Sequence, residues 1–349
     1  MRLLIITQKV DENDAILGFF HGWIIEFAKH CKSIIVICLE EGEHHLPENV
    51  KVLSLGKESF TGFNDFRLYG LFQKFRYVLN FWKYIWQERN KYDAVFVHMN
   101  QEYVFFGGLV WKLLGKKITM WRNHAKGSWA TRIAVLLSDT VFCTSPQSFT
   151  AQFKKTKIMP VGIDTNFFKQ DPLILKKWNS ILFLGRIALV KNVDIFIEAL
   201  KELKGSGMEF YATIAGSSSD KDAEYEKMIR DKVIAYNLGN NVMFTGAVSQ
   251  IEALKLYREH ELYVNLTPSG SMDKTIFEAM ATGMTSLVSN IGLKELLDDY
   301  LVVENMDIND ITEKITQILN SKKAYNLRDI IVQKHSIERL MVELNKELV

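Results

Sequence analysis

Short apolar runs recur along this chain with room for one helix between most of them, and that alternation sets the fold class. In the first half they are residues 3–7, 33–38, 50–53, 93–98, 117–121 and 140–143. In the second half they are 180–184, 210–215, 242–245, 262–266, 285–289 and 300–303. Runs such as Ile34-Ile35-Val36-Ile37 are apolar on both faces, as parallel strands covered by helices are. The pattern predicts an α/β, doubly wound architecture, twice over.

A chain of 349 residues suits two domains rather than one core. Pro and Gly gather in Met159-Pro160-Val161-Gly162-Ile163-Asp164, which places the join there. The expected division is 1–165, 166–330 and a C-terminal helical segment, 331–349, packing back on the first domain. A net charge of +2 gives bulk charge no case for nucleic acid. Cys31, Cys38 and Cys143 lie in apolar settings without metal spacing and read as reduced core thiols. The first apolar run turns polar at Gln8-Lys9, so it reads as a buried strand rather than a signal peptide. No stretch reaches the roughly 18–20 apolar residues of a membrane span. A cytoplasmic protein is expected.

The chemistry concentrates in the second half. A strand ends in Gly185-Arg186, Lys191 follows, and Glu278-Ala279-Met280-Ala281-Thr282-Gly283 opens a later helix. Arg and Lys beyond a strand supply fixed positive charge for a diphosphate, and a carboxylate near a helix start suits a ribose diol. Thr275-x-x-Glu278 also fits a capping box, and Asp273 a helix cap.

Several patterns fall in one order: Pro160-x-Gly162-Ile163-Asp164 with Phe167, Leu184-Gly185-Arg186-x4-Lys191, Ile214-Ala215-Gly216, Phe244-Thr245-Gly246 and Phe277-Glu278-Ala279-Met280-Ala281-x-Gly283. This set resembles the retaining glycosyltransferases of family 4, which have the GT-B fold. The resemblance implies two Rossmann-like domains facing a cleft. Its donor would be a UDP- or GDP-linked sugar held by the second domain, with a glycan or lipid-linked saccharide acceptor at the first. Arg186 and Lys191 would hold the diphosphate and act on the leaving group, Glu278 would hold the ribose, and Gly216 and Thr245 would join the donor site. The implied retaining reaction is front-face attack, since no enzymatic nucleophile is evident.

One departure stands out. The family usually has a second Glu eight residues before Glu278, and here that position is Gly270. Ser271, Asp273 and Lys274 are expected to supply the contacts this Glu would make, and Thr275, like Lys274, to approach the sugar or phosphates. In the first half, Gly18 is the expected phosphate-loop glycine. His124, in Trp121-Arg122-Asn123-His124, resembles a family His near the transferred sugar and is a catalytic candidate. His98 ends another strand, and it and its polar neighbours Asn100 and Gln101 are expected to face the acceptor.

Asp220-Lys221-Asp222 reads as an acidic helix start, so no metal and no cofactor are expected. Residues 66–91 are unusually aromatic and basic, suggesting either a core-facing helix or a peripheral membrane contact. The alternatives are an epimerase or hydrolase on the same fold, and a silent sugar-nucleotide-binding protein. An oxidoreductase is disfavoured because no Gly-x-Gly-x-x-Gly follows an early strand.

Overall fold

The computed structural model describes residues 1–60, 67–270, 272–321, 323 and 325–348, with the backbone alone for 60 and 67–72. The chain forms two compact units, Met1–Gly162 with Ile337–Val349, and Ile163–Ser336.

In the first unit the described strands are β1 (Arg2–Val10), β2 (Ser33–Glu41), β3 (Val50–Ser54), β4 (Ala94–His98), β5 (Lys117–Trp121), β6 (Thr140–Cys143) and β7 (Thr156–Ile158). They pair in parallel in the order β3-β2-β1-β4-β5-β6-β7. Ile5 of β1 sits in register with Val36 and Phe96. Its helices are α1 (Gly18–His30), α2 (Arg67–Gln87), α3 (Gln101–Leu113) and α4 (Trp129–Leu137). The two-faced apolar runs explain the layering. Leu3 and Ile5 enter a core with Phe20, Trp23 and Phe27 of α1. Leu4 and Ile6 enter a second core with Phe81, Ile85 and Trp111 of α2 and α3.

The second unit contains β8 (Ser180–Leu184), β9 (Tyr211–Ala215), β10 (Val242–Gly246), β11 (Leu262–Asn265) and β12 (Thr285–Val288). Their order is β10-β9-β8-β11-β12, all parallel. Its helices are α5 (Val193–Gly205), α6 (Ala223–Ala235), α7 (Gln250–Glu259), α8 (Lys274–Ala281), α9 (Ile308–Ser321) and α10 (Leu327–Lys334). The last helix, α11 (Ile337–Leu348), belongs to the first unit. The segment expected from 331 onward is thus split between two helices in different units.

α11 buries Leu340, Met341 and Leu344 in the core that holds Trp23. Beside it, Trp23 Nε1 donates to Gly162 O at 3.0 Å. Gly162 has φ +76°, and a Cβ there would meet Leu340 at 2.3 Å and Trp23 at 2.8 Å. Only glycine accepts both that backbone and that neighbour.

Two expectations are corrected. Residues 300–303 do not form a strand. The Asp298 carboxylate accepts from Tyr300 N at 3.2 Å and starts a 3-10 turn, Asp299–Leu301. Leu301, Val302 and Val303 are fully buried; Val302 is extended, but a single bridge to Val288 is all that joins it to the sheet. Strand β7 was not expected, because three residues at a sheet edge, two of them exposed, carry no apolar run.

Cys31, Cys38 and Cys143 are buried and free, and burial pushes each thiol upward in pKa. Asp220–Asp222 forms a 3-10 turn that leads into α6. No helix among the described residues is long and apolar enough to cross a membrane.

Candidate active site

In the second sheet the strand order reverses between β8 and β11, and doubly wound sheets bind ligands at the carboxyl ends of strands flanking such a point. Gly185-Arg186 leaves β8 there. Arg186 is exposed and makes no hydrogen bond or ion pair among the described residues. From the neighbouring strand, Tyr263 and Asn265 send polar groups into the same edge.

Asp273 organises this edge. It occupies the N-cap position of α8 but makes no side-chain cap bond. Its carboxylate turns instead to Lys191, with which it is ion-paired. Thr267 Oγ1 donates to the same oxygen at 2.9 Å and Asn265 Nδ2 lies 3.2 Å from it. Asn265 Nδ2 also reaches the Tyr263 hydroxyl at 3.0 Å, and that hydroxyl lies 2.7 Å from Thr275 Oγ1. Burial alone would push the Asp273 carboxyl upward in pKa. The nearby Lys191 charge and the donated hydrogen bonds hold it below its ordinary value.

One turn further along α8, Glu278 is 9% exposed and accepts a hydrogen bond from Tyr257 OH at 3.1 Å. Burial raises its pKa, against the pull of the Lys274 charge and the Tyr257 bond. Lys274 is pushed down to about 7 by burial, opposed by the charge of Glu278. The helix starts at Lys274, so Glu278 lies in its interior and is not the third position of a capping box.

Gly216 closes the edge behind Arg186. It has φ +142°, and a Cβ would come within 2.0 Å of Gly185 O. Gly216 N donates to Gly246 O at 2.7 Å. Thr245 is exposed and its hydroxyl bonds Gly246 O at 3.0 Å. Gly270 has φ +130°. Ser271 lies outside the described residues.

The structure thus brings Lys191, Asp273, Lys274, Thr275 and Glu278 together on and beside α8. Sequence reasoning missed Tyr257, Tyr263, Asn265 and Thr267. Asn265 carried a signal, a polar residue inside the apolar run 262–266. The tyrosines carried none, since buried aromatic residues look alike whether or not their hydroxyls work.

In the first unit, His124 is exposed beyond β5, with Nδ1 accepting from Lys126 N at 2.9 Å. Gly18 opens α1 and donates its N–H to Asp14 O at 2.9 Å. His98 lies inside rather than at the surface. It is 1% exposed, stacked on Phe20 at 3.9 Å and 3.3 Å from Thr7 Oγ1. Gln101 is also buried, and its carbonyl accepts from Thr131 Oγ1 at 2.6 Å. Asn100, the N-cap residue of α3, makes no side-chain cap bond.

With this geometry in hand, comparison with known proteins is informative. Residues 164–334 match the family of glycosyl transferases group 1. The group 1 match covers nearly all of the second unit and every residue of the α8 cluster. Among curated relatives, an uncharacterized glycosyltransferase, MJ1178 of Methanocaldococcus jannaschii, is 25% identical over 215 residues, covering 60% of this chain and 58% of that one. The poly(ribitol-phosphate) alpha-N-acetylglucosaminyltransferase of Staphylococcus aureus is 28% identical over 171 residues, 45% of this chain and 33% of that one. The matches therefore span less than two thirds of these relatives. Among solved structures, Anabaena Alr3699/HepE in complex with UDP superposes with a TM-score of 0.78 at 18% identity, covering 100% of this chain and 99% of that one. The fold is GT-B, with a parallel Rossmann-like sheet in each unit.

Proposed function

We propose that this chain is a retaining glycosyltransferase of the family 4 type. It moves a sugar from a nucleoside-diphosphate donor to a glycan or lipid-linked saccharide in cell-envelope or polysaccharide biosynthesis. The observation that carries this reading is the pairing of Lys191 with Asp273 at the start of α8, the helix that bears Glu278, at the carboxyl edge where Arg186 follows β8. Support also comes from the group 1 match and from the UDP bound by the Anabaena relative.

In this reading Arg186 and Lys191 hold the diphosphate and Glu278 accepts from the ribose hydroxyls. As the bond between the anomeric carbon and the phosphate oxygen breaks, negative charge grows on the diphosphate. Two fixed cations stabilise that charge most in the transition state, which raises rate rather than only affinity. The acceptor oxygen bonds the anomeric carbon on the face the phosphate leaves. The acceptor proton passes to the departing phosphate oxygen. With two protein cations on the diphosphate, the reaction needs no metal. Asp273, with Lys274 and Thr275, stands in for the carboxylate missing at Gly270 and reads the sugar hydroxyls.

A peripheral contact with the cytoplasmic face of the membrane accompanies this reading. On α2, Tyr77, Phe81, Tyr84 and Ile85 pack inward. Phe75 and Trp86 remain 59% and 55% exposed, beside exposed Lys74, Arg76 and Lys83. Such a basic, aromatic face suits anionic lipid. Cosedimentation with anionic vesicles that is unchanged after Lys74, Arg76 and Lys83 are neutralised removes the contact.

The deciding experiment is a donor screen. UDP-, GDP- and ADP-sugars are tested for thermal stabilisation, then for nucleoside diphosphate release with and without a lipid-linked saccharide pool. The reading expects one donor to stabilise the protein and to be consumed only with acceptor. Binding by wild type and not by Arg186→Met assigns the diphosphate site. Stabilisation without release favours a silent binding protein, and no stabilisation by any donor removes the proposal.

A further inference from the structure

Arg122 is an arginine whose surroundings ask for a partner that the described residues do not provide. It follows β5 directly and its backbone is held on both sides. Its N–H donates to Phe142 O at 2.8 Å, and its carbonyl accepts from Thr150 Oγ1 at 3.1 Å. The side chain lies under the loop that follows. Nη2 makes a long contact of 3.4 Å with Lys126 O. Nε is buried and has no hydrogen-bond acceptor among the described residues.

No carboxylate among the described residues is ion-paired with this guanidinium. The acidic group whose field reaches it is Glu102, exposed in the first turn of α3. A desolvated cation with an unmet N–H donor is costly, and folded chains meet that cost with an anion. Nε has no acceptor and Nη2 only the long contact to Lys126 O, and a guanidinium is the planar fork that pairs with two oxygens of a carboxylate or phosphate.

The loop adds two more nitrogen-bearing side chains. His124 Nδ1 lies 2.9 Å from Lys126 N and 3.0 Å from Lys126 O, so the loop backbone occupies that nitrogen and Nε2 is the ring nitrogen left on an exposed side chain. Lys126 is exposed and its ammonium has no acidic partner among the described residues. Arg122, His124 and Lys126 therefore offer three nitrogen-bearing side chains within five residues, on a loop fixed to the sheet by Asn123. That side chain bonds Thr144 through Oδ1, which accepts from Thr144 N at 2.7 Å, and through Nδ2, which donates to Thr144 Oγ1 at 2.5 Å.

We propose that Arg122, with His124 and Lys126, forms an oxyanion site in the first unit, and that the acceptor sugar carries a phosphate or carboxylate which this site binds. The proposal rests on the sugar-transfer reading for the identity of its ligand as an acceptor. The site itself stands on the geometry of β5 and its loop.

The test titrates wild type, Arg122→Met and Arg122→Lys with glucose 6-phosphate, galacturonate and glucose by calorimetry, with UDP binding measured separately on each protein. Wild type is expected to bind at least one anionic sugar at least tenfold more tightly than glucose. Arg122→Met is expected to lose that preference, and Arg122→Lys to keep part of it. Phosphate and carboxylate recognition are told apart by which anionic sugar binds. If glucose 6-phosphate and galacturonate bind Arg122→Met as they bind wild type, or bind wild type no better than glucose, the proposal is overturned. Should Arg122→Met fail to fold, Lys126→Ala, on the surface, is expected to weaken the anionic sugar about threefold, and an unchanged affinity also overturns it. Loss of UDP binding by wild type counts against the transfer reading alone, because the anionic sugars are read without nucleotide.

Discussion

Lys191 and Asp273, 82 residues apart in sequence, are ion-paired at the carboxyl edge of the second sheet, with side chains only 16% and 17% exposed. The cation expected to meet a diphosphate is thus already engaged by a carboxylate that bonds Asn265 and Thr267 as well. An incoming diphosphate shares or displaces that carboxylate. Asp273→Asn should therefore destabilise the protein by about 2 kcal/mol, less than the roughly 3–5 kcal/mol of a fully buried broken pair because Asn keeps an acceptor. UDP should then raise the melting temperature of the variant more than that of wild type, because the diphosphate becomes the partner of Lys191. Equal shifts in both proteins would show that Lys191 does not meet the diphosphate.

Lys274 makes stability depend on pH in a definite direction. Its pKa is about 7 in the folded chain against an ordinary 10.5. Between those values the unfolded chain binds more protons, so this contribution to stability rises as pH rises from about 7 towards 10. Glu278 acts in the opposite sense in its own window. Its raised pKa makes the folded chain the better proton binder just above the ordinary value of 4.5, and stability falls as pH rises there. Urea unfolding at pH 7, 8 and 9 should show a rise in wild type that is flattened in Lys274→Met. A rise of the same slope in both proteins assigns it to other groups.

Gly216→Ala probes the loop beneath Arg186. An added Cβ meets Gly185 O at 2.0 Å on a backbone with φ +142°. The strain should cost about 2–3 kcal/mol and move Gly185-Arg186. UDP affinity should fall at least tenfold, measured by calorimetry below the melting temperature. Unchanged affinity in a folded variant would detach this loop from the nucleotide.

The helix α11 can be tested without touching any of these residues. Leu340 is fully buried in the Trp23 core. Leu340→Ala should cost about 2–5 kcal/mol, read as a lower urea midpoint by circular dichroism. A midpoint equal to that of wild type would mean that α11 contributes little to the first unit.

How far the sequence foretold this molecule depends on how local the cause is. The strands were legible because two-faced apolar runs such as 34–37 need helices on both sides. The run at 300–303 misled for the same reason, since Leu301 is buried at the end of a turn capped by Asp298, and Val302 and Val303 are buried beyond it with only one bridge to the sheet. At the candidate site, spacing drew attention to Arg186, Lys191 and Glu278, and the fold carries Lys191 to Asp273 at the start of the helix that bears Glu278. The direction of Asp273 was not. An Asp before a helix predicts a cap, and only the tertiary position of Lys191, Asn265 and Thr267 turns it inward. His98 failed similarly. A strand-end histidine gives no local sign that Phe20 will cover it.

The path of the chain has one more consequence. The second unit is an uninterrupted segment, Ile163–Ser336, whereas the first is finished only by Ile337–Val349. Domains usually fold in order as they leave the ribosome, the N-terminal one first. Here the path of the chain predicts the reverse order. When Ser336 has emerged, the second unit has every strand and helix it needs, while the earlier half of the nascent chain still waits for Leu340, Met341 and Leu344 to cover Trp23. Until then it is this first half, although made first, that presents apolar surface to chaperones.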